Sequence, residues 1–486
     1  MPISILYPNR VASQTKQISP KMLYHLSIDR SFAYICADVK KRERFLAVIS
    51  ASANDEKEIV YRQNILKDLQ KNASLLEQLS ALSSRFEELR LSQRNADKDE
   101  YRLNTTNTAS LIASKNILQA QALCLKRALL FVKAYGDILS KYELESQGLI
   151  DLYNVCRDIY GPPEFLKLIA FCSKYENFSA NGFLDFKFSL NDQGRIQEYE
   201  LIDHRYIHIT DQELQKKGFS LFKKVEETNN PCARVNSSKD GIFESLAISA
   251  LSELSELFGN INEQIFSKFS AIGRELEFYD VAMRYINALT EKKIPVCYPV
   301  FSTDNSIKVK NLYDLYLLMS KPNPADVTPN DFELAKGCPG LLVFGDSGSG
   351  KTVYLRSVGT MQLLAQAGLP IPCESAKITL FAQFATQFSE SEKEFYEGND
   401  AGRFEQEVRE LATIVDTLAE GALVLLNETF QSTAYSEGAE AILTLLEHFS
   451  TSNIRWILVT HIQQLAISLD MGHKYKLLTF KTHFSP

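Results

Sequence analysis

The chain has 486 residues, 45% of them hydrophobic and 23% charged, and a formal net charge of -7. At roughly 150 residues per domain this length suggests about three units, and the composition excludes wholesale disorder and collagen-like structure. An acidic balance excludes a protein coated in basic surface, although a local basic stripe remains compatible with it. The eight cysteines (Cys36, Cys124, Cys156, Cys172, Cys232, Cys297, Cys338 and Cys373) are scattered without a Cys-x-x-Cys pair, so neither a zinc site nor a disulfide framework is expected. No basic patch with a following apolar run opens the chain, and no segment reaches 18 consecutive apolar residues. The expectation is a soluble, cytoplasmic protein without a membrane span.

The first half has helical periodicity. Leu75, Leu79, Leu82, Phe86 and Leu89 recur every three or four residues with charged residues between them, and 109–142 continues in the same style. A different texture follows. Phe183 to Leu190 alternates in part with period two, Asn191-Asp192-Gln193-Gly194 reads as a turn, and Ile196 to Ile202 reads as a second strand. These features predict a small β-containing insert over 180–236. Its Lys216, Lys217, Lys223 and Lys224 either touch a phosphate backbone or line an ordinary solvated loop. Next, Leu251, Leu254, Phe258, Ile261, Ile265, Phe269, Ile272 and Leu276 keep a repeat close to 3.5 residues. They predict one long helix over 240–290, about 60 Å at 1.5 Å per residue, with one buried seam and a weak point at Gly259. It is either a moving arm or a member of a helix bundle packed on itself. No internal repeat or low-complexity tract is present.

From about residue 300 short apolar runs alternate with helical stretches: Leu341–Phe344, Ile378–Phe381, Leu423–Leu426 and Ile457–Val459. Runs of about four residues without polar alternation are expected of parallel strands buried on both faces, so an α/β domain is predicted here. The boundaries expected are 1–179 for a helical region, 180–236 for the insert, 237–300 for the long helix and 301–486 for the α/β domain.

Gly345-Asp346-Ser347-Gly348-Ser349-Gly350-Lys351-Thr352 satisfies the G-x-x-x-x-G-K-[ST] phosphate loop at every fixed position, with an apolar run before it and a helical pattern after it. Its glycines let successive backbone N–H groups point at phosphate oxygens, and the helix N-terminus adds positive potential. Lys351 would reach the β- and γ-phosphates, and the Thr352 hydroxyl would ligate Mg²⁺. The run Ala422-Leu423-Val424-Leu425-Leu426 ends in Asn427-Glu428. That places Glu428 beside the phosphate loop as a candidate general base. Asn427 stands where an aspartate usually steadies the Mg²⁺ shell, so it would act through a metal-bound water and supply no charge. Trp456-Ile457-Leu458-Val459 ends in Thr460-His461. A histidine after a strand is more often structural, and His461 draws notice only beside the other two elements.

An ordered series of motifs over about 320–480 resembles the ATPase domain of the MutS family of DNA mismatch-repair proteins. The series is Val327-Thr328-Pro329-Asn330-Asp331, the phosphate loop, Tyr354-Leu355-Arg356, Leu364-Ala365-Gln366, Glu374-Ser375-Ala376, Phe404-Glu405-Gln406-Glu407, Leu426-Asn427-Glu428 and Thr460-His461. Upstream, Tyr61 to Leu69 looks like the start of the family's lever region. The resemblance implies a P-loop ATPase domain of the MutS/ABC type preceded by a mainly α-helical lever domain with a clamp-like insert. It implies ATP and Mg²⁺ as ligands, a homodimer with composite ATP sites, and levers and a clamp that close on DNA. Val327, Pro329 and Asn330 would lie by the adenine, Glu428 would be catalytic with Lys351 and would join Thr352 and, through water, Asn427 at the metal, and His461 would be the switch histidine. Arg403, Phe404 and Glu407 would form the segment acting on the partner's site. Against the family pattern, Asn427 replaces an aspartate and Gly402-Arg403 replaces a Ser-Thr pair. Phe395-Tyr396-Glu397 mimics the mismatch-reading motif but lies inside the ATPase region. The expectation is a shortened form without the N-terminal mismatch-binding and connector domains. It would be an ATPase working on structured or branched DNA, with an ATP-switched structural or interaction protein as the alternative.

Overall fold

The computed structural model describes residues 3–8, 18–51, 53–105, 111–176, 183–190, 196–205, 232–235, 241–389, 403–430, 435–462, 465 and 476–480. The chain divides into two compact units. One contains Glu77–Leu144 and Ile150–Gly273; the other contains Ser4–Leu76, Glu145–Leu149 and Arg274–Pro486. This grouping departs from the boundaries expected of the sequence, because residues 4–76 belong with the phosphate loop rather than with the helical region.

The nucleotide-loop unit is built on a five-stranded, all-parallel sheet. Its order is Lys476–Phe480, Gly340–Gly345, Arg455–Thr460, Ala422–Asn427, Gln383–Phe388. Every residue of Ala422–Asn427 is buried, which explains the absence of polar alternation in the sequence. Alternate residues serve the two faces. Val424, Leu426, Trp456 and Leu458 share a core with Leu446 and Phe449 of the helix Tyr435–Thr451. On the other face, Leu425 meets the phosphate-loop helix Lys351–Gln366 so closely that a Cβ on Gly359 would lie 2.6 Å from it. That helix is buried almost all round, and its buried polar side chains find partners among the described residues, Gln362 Oε1 excepted. Gln366 Nε2 donates to the carbonyls of Ala53 (2.8 Å) and Phe381 (3.0 Å), and Thr360 Oγ1 donates to that of Leu26 (3.3 Å). These bonds tie the N-terminal helices to the unit, since a buried amide left unpaired would cost on the order of 1–3 kcal/mol.

The expected strand at Ile378–Phe381 is corrected. Ser375–Ile378 is a strand of a separate four-stranded mixed sheet, between Val300–Phe301 and Ile307–Leu312, with Asn330–Leu334 beyond. The parallel sheet takes Gln383–Phe388 instead. Burial of Ile378 gives the same apolar signature in either sheet.

In the helical unit, Phe86 packs against Phe266 and Phe269, with ring centroids at 5.3 and 6.1 Å, and Tyr135 stacks on Phe269 at 5.9 Å. Leu79, Phe86 and Leu89 are buried as the periodicity predicts, whereas Leu82 is half-buried and Ser83 turns inward to meet the Tyr135 hydroxyl at 2.7 Å. The single helix expected over 240–290 is two, Gly241–Phe269 and Ile272–Glu291, parted at Ser270 and Ala271 rather than at Gly259. The seam is also different. Leu251, Ser255, Phe258, Asn262, Ile265, Phe269 and Ile272 are buried, while Leu254 and Ile261 lie beside the seam. Asn262 is tolerated there because its Nδ2 donates to Gln121 Oε1 (3.0 Å), which also accepts from Gln93 Nε2 (2.7 Å). The insert holds an antiparallel sheet in which Phe183–Leu190 lies between Ile196–Arg205 and Cys232–Val235. The second strand therefore runs three residues past Ile202. The Asn191–Gly194 turn and Lys216, Lys217, Lys223 and Lys224 lie outside the described residues. Among the described residues no helix is long and apolar enough to cross a membrane.

Candidate functional site at the carboxyl edge of the parallel sheet

Strand register brings the separated motifs to one edge. Phe344 pairs with Thr460, and Val459 with Asn427. The phosphate loop, Asn427-Glu428 and Thr460-His461 therefore leave three adjacent strands at one level. In the loop, Gly348 and Gly350 have φ of 77° and 93°, and a Cβ on either would meet nothing within 4 Å. Backbone conformation, not space, demands glycine there. Lys351 opens the helix with its side chain buried, and its Nζ donates to the carbonyls of Gly345 (2.9 Å) and Asp346 (2.8 Å). Thr352 Oγ1 donates to Asn427 Oδ1 at 2.9 Å.

Glu428 follows Asn427 in a turn with φ of 55°, a left-handed conformation for a residue with a Cβ. Its backbone N–H donates to the Val459 carbonyl at 2.9 Å. Its carboxylate reaches two predicted partners. Lys351 Nζ lies 3.8 Å from Oε1, and His461 Nδ1 lies 2.7 Å from Oε2. The catalytic candidates Lys351, Glu428 and His461 are thus one contiguous group.

The Val327–Asn330 segment leads into a strand whose Asp331 and Phe332 touch Tyr354, in the first turn of the same helix. Val327 is buried, Pro329 and Asn330 are half-buried, and Asn330 opens the strand Asn330–Leu334, its Nδ2 donating to the Thr328 carbonyl at 3.3 Å. Tyr354 donates its hydroxyl to the Asp331 carbonyl at 3.1 Å, and burial, with Asp331 nearby, pushes that phenol's pKa up. The segment expected to act on a partner's site has its own in-chain contacts. Phe404 packs on Phe430 with centroids 5.6 Å apart, and Glu407 is buried, accepting from Ser389 Oγ and from the Phe430 N–H, each at 3.1 Å. Arg403 opens this helix, and its side chain lies outside the described residues, as do Gly402 and Phe395–Glu397. Sequence reading missed Gln387, Ser389 and Thr429, which build the floor of the Glu428 turn; no spacing rule links them.

The residues fit a magnesium–nucleoside triphosphate. Ser349 Oγ, on the loop itself, is buried without a hydrogen-bond partner, a donor suited to a phosphate oxygen. Thr352 and Asn427 offer two neutral oxygens side by side, the hard donors Mg²⁺ prefers, and that ion commonly keeps several waters and takes the rest of its shell from phosphates.

Comparison with known proteins agrees with this geometry. The profile of MutS domain V matches residues 341–483, and that of the MutS2 N-terminal domain matches 54–292. An endonuclease MutS2 of Acetivibrio thermocellus is 26% identical over 341 residues, covering 68% of this chain and 40% of that protein. A putative endonuclease MutS2 of Bacillus subtilis is 26% identical over 272 residues, covering 55% and 32%. A DNA mismatch repair protein MutS of Thermosynechococcus vestitus is 29% identical over 246 residues, covering 48% and 28%. The match thus spans less than half the length of each relative. With the two profiles matching 54–292 and 341–483 and the loop, Glu428 and His461 gathered at one sheet edge, the chain belongs to the MutS family.

Proposed function

We propose that the unit containing Arg274–Pro486 binds and hydrolyses ATP with Mg²⁺, and that nucleotide state is passed to the helical unit, which acts on structured or branched DNA. The observation that carries the first part is the convergence of Lys351, Glu428 and His461 at the phosphate loop. Lys351, drawn from the Gly345 and Asp346 carbonyls, would neutralise the β- and γ-phosphate oxygens. Glu428 is aimed to accept the proton of the attacking water. His461 Nδ1 holds one carboxylate oxygen of Glu428, which leaves the other to face that water. Mg²⁺, held by Thr352 and through water by Asn427, would supply Lewis-acid stabilisation of the charge developing on the phosphates.

The coupling is carried by covalent continuity. The unit boundaries at 76–77 and 273–274 fall inside the helices Ala73–Thr105 and Ile272–Glu291. Family membership supports DNA as the object and a homodimer with composite ATP sites as the assembly. The acidic net charge of -7 favours the second reading, an ATP-switched interaction protein gripping a protein or ribonucleoprotein. One pair of measurements decides. Magnesium-dependent ATP hydrolysis lost in Lys351→Ala and Glu428→Ala is expected, and undiminished turnover in Glu428→Ala refutes the assignment of the base. Binding to branched DNA that weakens steeply as salt rises supports the DNA reading. No binding to branched, duplex or single-stranded DNA at low salt selects the alternative.

A further inference from the structure

The turn that carries Glu428 is strained and has a specific brace. Glu428 and Phe430 both have positive φ, 55° and 60°. Non-glycine residues persist in that region only where their surroundings over-determine them. Three contacts do so here. Thr429 Oγ1, fully buried, donates to the equally buried Gln387 Oε1 at 2.6 Å. The Ser389 N–H donates to the Asn427 carbonyl at 3.1 Å. Glu407 spans the remaining gap, one carboxylate oxygen taking the Ser389 hydroxyl and the other taking the Phe430 N–H, each at 3.1 Å. Ser389 follows the strand Gln383–Phe388, and Phe430 lies in the turn after the adjacent strand Ala422–Asn427. A single buried carboxylate therefore joins two loops and fixes the backbone two residues from Glu428. A carboxylate in that place makes charge-assisted bonds of about twice the strength of neutral ones. Phe404, one turn earlier on the same helix, covers the Phe430 ring.

We infer that Glu407 is a positioning residue for the hydrolytic water: from within its own chain it holds the Phe430 N–H and so sets the direction of the Glu428 carboxylate. This differs from a role for Glu407 on a partner's nucleotide. It rests on the reading of Glu428 as general base.

The test uses the full chain. In Glu407→Ala, kcat is expected to fall about tenfold or more, the scale on which misaimed catalytic groups lose rate, while the dissociation constant of a fluorescent ATP analogue stays within about twofold. Glu407→Gln keeps an oxygen for the Phe430 N–H and offers an amide to Ser389, and should recover most of the rate. If the alanine variant does not fold, Glu407→Asp, shorter by one methylene, carries the same expectation of lost rate. In a Glu428→Ala background the second substitution should cost the residual turnover nothing further, because its effect runs through Glu428. Equal loss in both backgrounds overturns the inference. Mixing Glu407→Ala chains with Glu428→Ala chains should restore no activity; restored hydrolysis would mean that Glu407 acts across a dimer. Hydrogen exchange separates this inference from the function it rests on. Exchange at the Phe430 amide should quicken in Glu407→Ala whether or not the chain hydrolyses ATP, and unchanged exchange defeats the brace. Absence of turnover in the wild-type chain would count against the hydrolytic function alone.

Discussion

Substituting Gly340 by alanine tests the packing that carries the phosphate loop. Gly340 opens the strand that ends in Gly345, and it pairs in the ladder with Trp456. A Cβ at 340 would lie 2.6 Å from Trp456 Cε3 and closer still to Cδ2 and Cε2. The ring would have to retreat by about 1.3 Å or more to reach ordinary carbon contact at about 3.5 Å. It has nowhere to go: Trp456 is fully buried in the core shared with Leu426, Leu446 and Phe449, and its Nε1 donates to Ser450 Oγ at 3.2 Å. Overpacking of this kind costs about 1–3 kcal/mol, and loss of the indole hydrogen bond adds about 1 kcal/mol. A destabilisation of about 2–4 kcal/mol is expected. Trp456 is the chain's one tryptophan, so its fluorescence during urea unfolding reports on this site directly, with the free-energy change read from the midpoint at constant slope. With unfolding followed by far-ultraviolet circular dichroism, since that background lacks the indole, Gly340→Ala in a Trp456→Leu background should cost less than in the wild type, because the clash is pairwise. A loss under about 0.5 kcal/mol with unchanged emission, or equal losses in both backgrounds, would refute the reasoning.

Glu428→Ala should lower kcat by about 10²-fold or more while ATP still binds, and Lys351→Ala should weaken nucleotide binding itself; equilibrium binding and single-turnover hydrolysis separate the two. Asn427→Asp adds a charge beside Thr352 Oγ1 and should lower the Mg²⁺ concentration for half-maximal hydrolysis by about tenfold. An unchanged titration removes Asn427 from the metal shell. The Cys373 S–H donated to the Cys297 sulfur holds the Cys297 thiol below the ordinary range, so its thiolate persists as pH falls below about 8.5. Iodoacetamide labelling of Cys297, followed by peptide mass spectrometry, should have a lower pH midpoint than in Cys373→Ala; coincident midpoints would sink the assignment.

The phosphate loop, the Asn427-Glu428 strand end and the Thr460-His461 strand end are legible in the sequence because each depends on neighbours a few residues away. Glycine at 348 and 350 answers to local φ, and four consecutive apolar residues answer to burial on both faces. The boundary at Ser270–Ala271, the entry of Ser255 and Asn262 into the helical seam, and the placing of Ser375–Ile378 in a different sheet from Leu423–Leu426 are not legible in that way. Asn262 sits in its seam because Gln121, 141 residues away, accepts its hydrogen bond. Residues 4–76 join the nucleotide unit because Gln366 needs the Ala53 carbonyl and Thr360 that of Leu26. Glu407 could be noticed in a motif, but its partners Ser389 and Phe430 lie in the loops that follow two neighbouring strands, so its bonds exist only once the sheet is assembled. The sequence alone determined which chemistry is present, because propensity, φ preference and burial pattern are local. Tertiary structure decided which chain segments brace that chemistry, because satisfying buried polar groups is a problem solved across long separations in the chain.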